Sequence, residues 1–316
     1  MRYFNEKDFA NFPFSWDETI NEIGKAISYI DKKDYSQPIK PYLRFKDNFN
    51  RIIAMPAYIG GDIDIAGIKW IASFPDNIKS GIPRASSVTV LNDTNTGVPI
   101  AIFNTAMVSI IRTASVSGYL LQKYKEYNPL PKYNIGIIGF GPIGQHHLSM
   151  CKSVLKDHIN RIYIYDKRPV HISDERVTVC GSWQCVYEQT DIFITCTSSL
   201  DRYIDLPVSG GKLIMDISLR DFKQEALDSL TKPFIVDDWD EVNRENTDIE
   251  YYTKIGKMSS EDSINLCDIQ TKKLELYFGK DSNIFFAPMG MGVFDISIAN
   301  YYYKYAIKNN LGLVLE

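Results

Sequence analysis

This sequence of 316 residues has little cysteine, little histidine and no excess of charge of one sign. Its five cysteines, Cys151, Cys180, Cys185, Cys196 and Cys267, are scattered and form no C-x-x-C pair. That argues against a disulfide framework or a zinc-thiolate site and suits reduced thiols in a cytoplasm. The four histidines are His146, His147, His158 and His171. None ends a strand-like run, so a histidine base is not evident. No His/Cys/carboxylate cluster has ligand spacing, and no metal is expected. A net charge of −4 and a pI near 5.7 leave no electrostatic footprint for nucleic acid or an anionic membrane. No window approaches the ~20 apolar residues of a membrane span. The first residues, MRYFNEKDFANF, lack the basic and apolar regions of a signal peptide. The expectation is a cytoplasmic protein without nucleic acid or membrane partners.

What is present is a nucleotide-binding pattern. Ile135 to Ile138 is a short apolar run that suits a buried parallel strand. Gly139, Phe140, Gly141, Pro142, Ile143 and Gly144 follow as G-x-G-x-x-G, and Gln145 to Leu155 has helical spacing. A second strand-like run, Arg161 to Tyr165, ends in Asp166, 22 residues beyond Gly144 (166 − 144). Gly139 suits a tight turn, Gly141 lets backbone approach a pyrophosphate, and Gly144 lets helix and strand pack closely. The helix N-terminus offers free N–H groups to phosphates, and Asp166 can bond the adenosine ribose hydroxyls. A carboxylate there repels the extra phosphate of NADP, so NAD is favoured over NADP. Lys167 and Arg168 either accommodate such a phosphate or form a solvated loop.

The length allows two domains. Ser15-Trp16-Asp17-Glu18 reads as a capping box opening a helix over 16–32. Strand-like pieces follow at 40–45, 51–56, 65–72, 87–91 and 98–103, then a long helix over 104–124 with Asn104 or Thr105 as N-cap. After Asp166 only about ten residues, Pro169 among them, precede the strand at 177–180, which predicts a truncated crossover. Strands at 191–195, 212–217 and 234–236 and a helix over 224–230 complete a mostly parallel sheet. A helix over 295–308 and a strand over 311–315 return the chain to the first module. The fold class expected is α/β, a Rossmann-type dinucleotide-binding domain over 117–292. A discontinuous strand-rich domain takes 1–116 and 293–316.

Candidate chemistry follows. Lys69 sits in the apolar run Ile65 to Ala72. Buried, it would lose pKa toward neutrality and serve as an acid–base group; on an exposed face it would be an ordinary surface lysine. Arg112, within Ile110-Ile111-Arg112-Thr113-Ala114, suits a carboxylate or phosphate, or else a structural ion pair. Arg44 and Arg84 read as surface arginines by their local sequence alone. Asp221 follows the strand at 212–217, which puts it at the carboxyl edge where substrates bind, unless it caps the next helix.

Gly67-Ile68-Lys69-Trp70, Leu91-Asn92-Asp93 with Thr96-Gly97-Val98-Pro99, Ile111 to Ala114, the glycine turn, and Gly290 through Asp295 together resemble the ornithine cyclodeaminase/μ-crystallin family. The likeness runs through nearly the whole chain in order. Lys40-Pro41-Tyr42-Leu43-Arg44, Arg51 to Pro56, Ile59-Gly60-Gly61, Arg84-Ala85-Ser86, Val236 to Trp239, Asn243-Arg244-Glu245 and Pro288 to Met291 resemble the branch that makes 2,3-diaminopropionate, a siderophore precursor. The resemblance implies a homodimer that oxidises an N-substituted glutamate with NAD. It implies Arg44, Lys69, Arg84, Arg112, Met289 and Gly290 around the substrate. Lys69 and Asp221 would be catalytic. Arg112, Thr113, the glycine turn, Asp166, Cys196, Thr197 and Ser218 would hold the cofactor. The family also implies alternatives: ornithine cyclisation, NAD(P)H-dependent imine reduction, or a non-catalytic ligand-binding protein. The sequence lacks the Gly-Gly-Asp-Cys-Pro context of true ornithine cyclodeaminases.

Overall fold

A computed structural model describes residues 1–316, apart from the side chains of residues 47 and 48. The chain divides into two compact units, Met1–Val116 with Gly290–Glu316, and Ser117–Met289.

The first unit is built on one sheet. Its strands run Leu313–Val314, Arg2–Asn5, Pro99–Asn104, Ala85–Asn92, Ile65–Ser73, Asp47–Ile59 and Tyr35–Ser36 across the sheet, and Tyr42–Phe45 pairs with Asp47–Ile59 as well. The pairing is antiparallel except that Arg2–Asn5 lies parallel to Pro99–Asn104. Alternation sorts the side chains into two faces. Met55, Ala57, Ile59, Ile65, Lys69, Leu91, Ala101 and Phe103 are buried on one of them. Helix Gly292–Lys308 packs there, with helix Trp16–Asp31 against it. Ile20, Ile23, Ile27 and Ile30 give that second helix its apolar stripe, and Ser15 Oγ accepts from the Glu18 amide as its N-cap. Phe4, Phe9, Phe12, Phe103 and Tyr302 close one end as an aromatic cluster.

The other face of this sheet is apolar too. Ala54 pairs with Trp70 and Trp70 with Val88; Pro56 pairs with Ile68 and Ile68 with Val90. These side chains are half-buried, and Trp70 is 44% exposed.

The second unit is a parallel sheet ordered Val177–Val179, Ile159–Tyr165, Tyr133–Ile138, Ile192–Thr195, Leu213–Asp216, Ile284–Ala287, Phe234–Val236, Ser263–Asn265. The order reverses direction between Tyr133–Ile138 and Ile192–Thr195, the switch point at which open α/β sheets bind ligands. The connection from Ile159–Tyr165 to Val177–Val179 contains no helix, so the truncated crossover is present. The fold is that of the Rossmann-type domain and strand-rich partner expected from the pattern.

Some elements differ from the reading of the sequence. Strand Ile284–Ala287, four buried residues between Leu213–Asp216 and Phe234–Val236, was not anticipated: so short an apolar run has no period to recognise. Helices Trp183–Glu188 and Asp248–Lys254 were also missed. The helix expected over 224–230 stops at Leu227, where the Ser229 and Leu230 amides turn to the carbonyls three residues back. The helix expected from 295 begins at Gly292, its Val293 amide donating to Gln37 Oε1. The long helix starts at Met107, whose amide donates to Thr105 Oγ1, and runs to Tyr127. Among the described residues no helix is long and apolar enough to cross a membrane.

Gly67 marks where helix and sheet touch. A Cβ there would lie 2.3 Å from the Val90 carbonyl oxygen and 3.3 Å from Ile296 Cγ2. Gly67→Ala is expected to cost about 1–3 kcal/mol by overpacking, read as a lowered urea midpoint with unchanged slope; an unaltered midpoint would show that the sheet yields there freely.

Candidate active site

In the first unit, the apolar environment that forms the fold also encloses charge. Lys69 shares its buried face with Ile65 and is 2% exposed. Its Nζ lies 2.8 Å from Asp295 Oδ2 and donates to Ser109 Oγ at 3.2 Å. Arg112 reaches the same carboxylate, Nε donating to Asp295 Oδ1 at 2.9 Å. Asp295 stands in the first turn of helix Gly292–Lys308, where the helix dipole favours a carboxylate, and is fully buried. Gly290, at φ +87°, packs against the far end of the same guanidinium: a Cβ would fall 2.4 Å from Arg112 Nη1. Lys40, 2% exposed, donates from Nζ to the Gly290 carbonyl at 2.8 Å. Burial first, then the charge of Arg112, lowers the Lys69 pKa to about 7, although Asp295 pulls it upward.

The structure thus brings together Lys69, Arg112 and Gly290, with Asp295 and Lys40, which the sequence reading had noticed only inside longer motifs. A lone carboxylate in the run Gly292 to Asn300 was the available signal for Asp295. Arg44 lies instead on the exposed strand Tyr42–Phe45, its guanidinium 5.2 Å from the Tyr42 ring centroid. Arg84 is half-buried, just before strand Ala85–Asn92. Thr113 turns its hydroxyl to the Ser109 carbonyl at 2.7 Å.

In the second unit the glycine turn has the geometry a dinucleotide needs. Gly139, at φ +85°, presses on the adjacent strand end: a Cβ would lie 2.5 Å from the Cys196 carbonyl oxygen. Gly144 packs on the Gly139 carbonyl, 2.1 Å from where its Cβ would be. Around Gly141 only Arg168 Nη2 comes within reach of such a Cβ, at 3.7 Å, so the backbone there is open to approach. Helix Pro142–Leu155 starts at this point with Pro142 and Ile143 in its first turn. Asp166 accepts from the Phe140 amide at 2.7 Å and from the Arg168 amide at 2.8 Å, and hydrogen bonds from Arg168 and Phe140 hold its pKa down against the opposing effect of burial. A cavity of about 720 Å³ opens beside these groups, lined by Gly141, Gln145, Lys152, Asp166, Arg168 and His171 among others. The turn, the helix end and the acidic strand end fit the pyrophosphate and adenosine ribose of NAD.

Further along the same sheet edge, Thr197 donates to Asp221 Oδ1 at 2.7 Å and its amide donates to Ser218 Oγ at 2.8 Å. Asp221 is fully buried, and its backbone amide donates to Asp248 Oδ2 at 2.8 Å. It does not cap a helix; Lys223 takes the N-cap position before Gln224. Cys196 follows strand Ile192–Thr195, its amide donating to the Ile138 carbonyl at 2.7 Å. Met289 donates its amide to Asp237 Oδ1 at 2.9 Å. His147 is structural: buried, bonded to Ser117 and the Ile143 carbonyl, with burial lowering its pKa to about 4.

The depressed pKa of Lys69 makes a stability prediction independent of any activity. Its folded value, about 7, lies below the ordinary 10.5. Between those values the unfolded chain binds more protons at this position, so stability rises with pH across the window and is flat below it. The stability of the wild type relative to Lys69→Met is expected to increase from about pH 7 to about pH 9.5 in urea denaturation. A pH-independent difference would contradict the shift.

The ornithine cyclodeaminase/mu-crystallin family model matches residues 12–310. N-((2S)-2-amino-2-carboxyethyl)-L-glutamate dehydrogenase of Staphylococcus aureus (strain NCTC 8325 / PS 47) is 33% identical over 346 aligned residues, covering 100% of this chain and 98% of that protein. Among solved structures, Thermococcus litoralis Δ1-pyrroline-2-carboxylate reductase, in complex with NADH and L-proline, superimposes with a TM-score of 0.86 at 20% identity, covering 100% of both chains. An archaeal alanine dehydrogenase dimer with bound NAD gives 0.78 at 20% identity, covering 100% of this chain and 99% of that one. With a family match over nearly its whole length and a full-length relative at one-third identity, the chain belongs to the ornithine cyclodeaminase/mu-crystallin family.

Proposed function

We propose that the protein is an NAD-dependent oxidoreductase that oxidises and hydrolyses N-((2S)-2-amino-2-carboxyethyl)-L-glutamate to 2,3-diaminopropionate and 2-oxoglutarate, forming NADH. The observation that carries this reading is the buried Lys69–Asp295–Arg112 arrangement, in a chain one-third identical over its full length to the S. aureus dehydrogenase of that substrate.

Bound in the second unit, NAD would supply the acceptor for the hydride that leaves the glutamate Cα. The backbone amides of Gly141 and Ile143, on either side of Pro142, would receive its pyrophosphate and Asp166 its adenosine ribose. Cys196, Thr197 and Ser218, at the ends of neighbouring strands, are assigned to its remainder. Arg112, fixed at Nε by Asp295, offers its terminal N–H groups to a substrate carboxylate. Loss of hydride leaves an iminium at the former amine, and Asp221 is assigned to that positive charge. Lys69, near half-neutral at pH 7, accepts a proton from the water that attacks the iminium carbon. It returns that proton to the amine nitrogen, and as the C–N bond of the carbinolamine breaks and the carbonyl forms, the hydroxyl proton passes to the again neutral Lys69. Arg44, Arg84 and Met289 remain assigned to the rest of the substrate.

Incubating the protein with NAD and the adduct is expected to accumulate NADH and release both products, identified by mass; ornithine cyclisation would give no net NADH. Lys69→Met is expected to lower kcat/KM by about a thousandfold or more while leaving NAD affinity within about threefold. In the wild type kcat/KM is expected to fall as pH drops below about 7, because the protonated ammonium cannot accept a proton. Near-normal turnover by Lys69→Met would remove that residue from the chemistry.

A second copy of this chain is the occupant proposed for the outer sheet face around Trp70, Ile68, Val88 and Pro56. The neighbour with the same fold, the archaeal alanine dehydrogenase, is a dimer, and apolar cross-strand rows of this kind favour burial. Trp70→Glu is expected to convert a dimer to a monomer in sedimentation; a monomeric wild type at the same concentration would sink the pairing.

A further inference from the structure

Three buried carboxylates meet around the turn that carries Asp221. Asp216, Asp221 and Asp248 are each fully buried. Among the described residues, the only cation paired with any of them is Arg202, whose Nε donates to Asp248 Oδ1 at 2.6 Å. Asp248 Oδ2 accepts from the Asp221 amide at 2.8 Å and from the Phe222 amide at 2.9 Å. The Asp248 amide donates to the Leu219 carbonyl at 2.7 Å. Asp216 Oδ1 accepts from the Leu219 amide at 2.9 Å and from Thr195 Oγ1 at 3.1 Å. Two acids therefore hold the turn from Ser218 to Phe222, and the turn needs holding. Leu219 lies at φ +66°, a left-handed conformation that a leucine rarely adopts unless its surroundings impose it. Asp221 accepts from Thr197 at Oδ1, and its Oδ2 has no partner among the described residues, as its assigned role toward the iminium requires.

Asp216 does not fit the role of an ordinary carboxylate. Its Oδ2 is buried and accepts no hydrogen bond. An ionised oxygen in that state is costly, whereas a proton on it turns it into a donor. Asp248 is the natural acceptor, and it keeps its charge because a guanidinium and two amides bond to it. Burial first, then the charges of Asp248 and Asp221, pushes the Asp216 carboxyl well above the usual carboxylate range, and a bond to Asp248 acts in the same direction. The other titratable groups that feel Asp216 are Cys196 and Tyr203, and neither supplies a positive charge.

We propose that Asp216 is a positioning residue: as a neutral carboxylic acid bonded to the Asp248 carboxylate, it clamps the turn Ser218 to Phe222 so that Asp221 is presented to the substrate. The proposal deepens the reading above and rests on it for the role of Asp221. Asp216→Asn imitates the neutral acid, since its oxygen can accept from Leu219 and Thr195 and its amide can donate to Asp248. Asp216→Leu keeps a similar volume and removes the clamp.

The test combines two readouts without substrate and one with it. Wild type at about pH 7 is expected to show the infrared carbonyl band of a protonated carboxylic acid, and Asp216→Asn to lack it. Hydrogen exchange at the amides of Leu219, Asp221 and Phe222 is expected to be slow in wild type and Asp216→Asn and fast in Asp216→Leu. With NAD and the adduct, Asp216→Leu is expected to lower kcat about a hundredfold with KM and NAD affinity within about threefold, and Asp216→Asn to keep kcat within about threefold. A band absent from wild type or retained in Asp216→Asn would overturn the proposal. So would an Asp216→Asn variant as impaired as Asp216→Leu, or an Asp216→Leu variant with normal kcat or normal exchange. Parallel loss of kcat and NAD affinity in Asp216→Leu would make Asp216 a general structural residue and overturn it too. If Asp216→Leu does not fold, the band, exchange and kcat of Asp216→Asn decide by the same criteria. If wild type oxidises no adduct while band and exchange behave as expected, the assigned reaction fails and the clamp on the turn stands.

Discussion

Asp295 enters the first turn of its helix with no exposure to solvent, and cations from a strand and from a second helix end on its two oxygens. Three elements distant in sequence are tied by that one carboxylate. An isolated buried charge is too costly to persist, and removing one partner of such a set leaves the others uncompensated. The arrangement explains why an apolar strand carries Lys69 and an apolar helix carries Arg112: each is tolerated because Asp295 is there, and Asp295 because they are. Shared by two cations, the carboxylate cannot fully restore the proton affinity of Lys69 against burial and the neighbouring guanidinium. A lysine titrating near neutrality follows from the packing itself.

The nucleotide half is governed by steric constraint in place of charge. Gly139 and Gly144 are pressed against the Cys196 carbonyl and each other, so the turn after Ile138 is fixed by close packing at the point where strand order reverses. Gly141 has open space on the side where a Cβ would project, apart from Arg168. Two glycines are demanded by protein contacts and the third by room for a ligand, which agrees with the division of labour expected for this motif. Arg168 adds a complication, because its guanidinium and amide both bond Asp166, the group assigned to the ribose. The carboxylate is kept ionised by these bonds, which favours a hydroxyl-bearing ribose over one that carries a phosphate.

The nucleotide unit was readable because its signal is local: strand, glycine turn, helix, strand and acid lie within about thirty residues, the span of one βαβ unit. The strands of the other unit were legible as short apolar runs, as at Ile65 to Ala72. What could not be read was anything that depends on contacts between distant segments. Whether Lys69 was buried or exposed turned on Asp295, 226 positions later (295 − 69). Arg112 as an ion pair and as a carboxylate ligand were offered as alternatives, and Asp295 leaves both open, since it binds Nε and not the terminal nitrogens. Strand Ile284–Ala287 was missed because its place in the sheet comes from partners it meets only after the chain has already laid down Phe234–Val236. Lys40 stood in the sequence only at the start of a strand-like piece, and its burial comes with a bond to the distant Gly290 carbonyl.

A lysine near neutrality is useful to more than one reaction on this scaffold, so its pKa alone does not choose among them. The choice falls to groups that recognise what surrounds the reacting carbon. Binding energy taken from a distant carboxylate can be spent on orientation at the reacting bond, where an error of an ångström is expensive. In this chain Arg112, assigned to recognition, is buried and held between Asp295 and Gly290, which limits how far it can relax around a smaller ligand. Rigid seats of that kind discriminate by leaving buried charge unmatched when the ligand is wrong, and that penalty exceeds what shape alone provides. On the proposed assignment, the proton falls to Lys69 and recognition of the substrate to the buried Arg112 beside it.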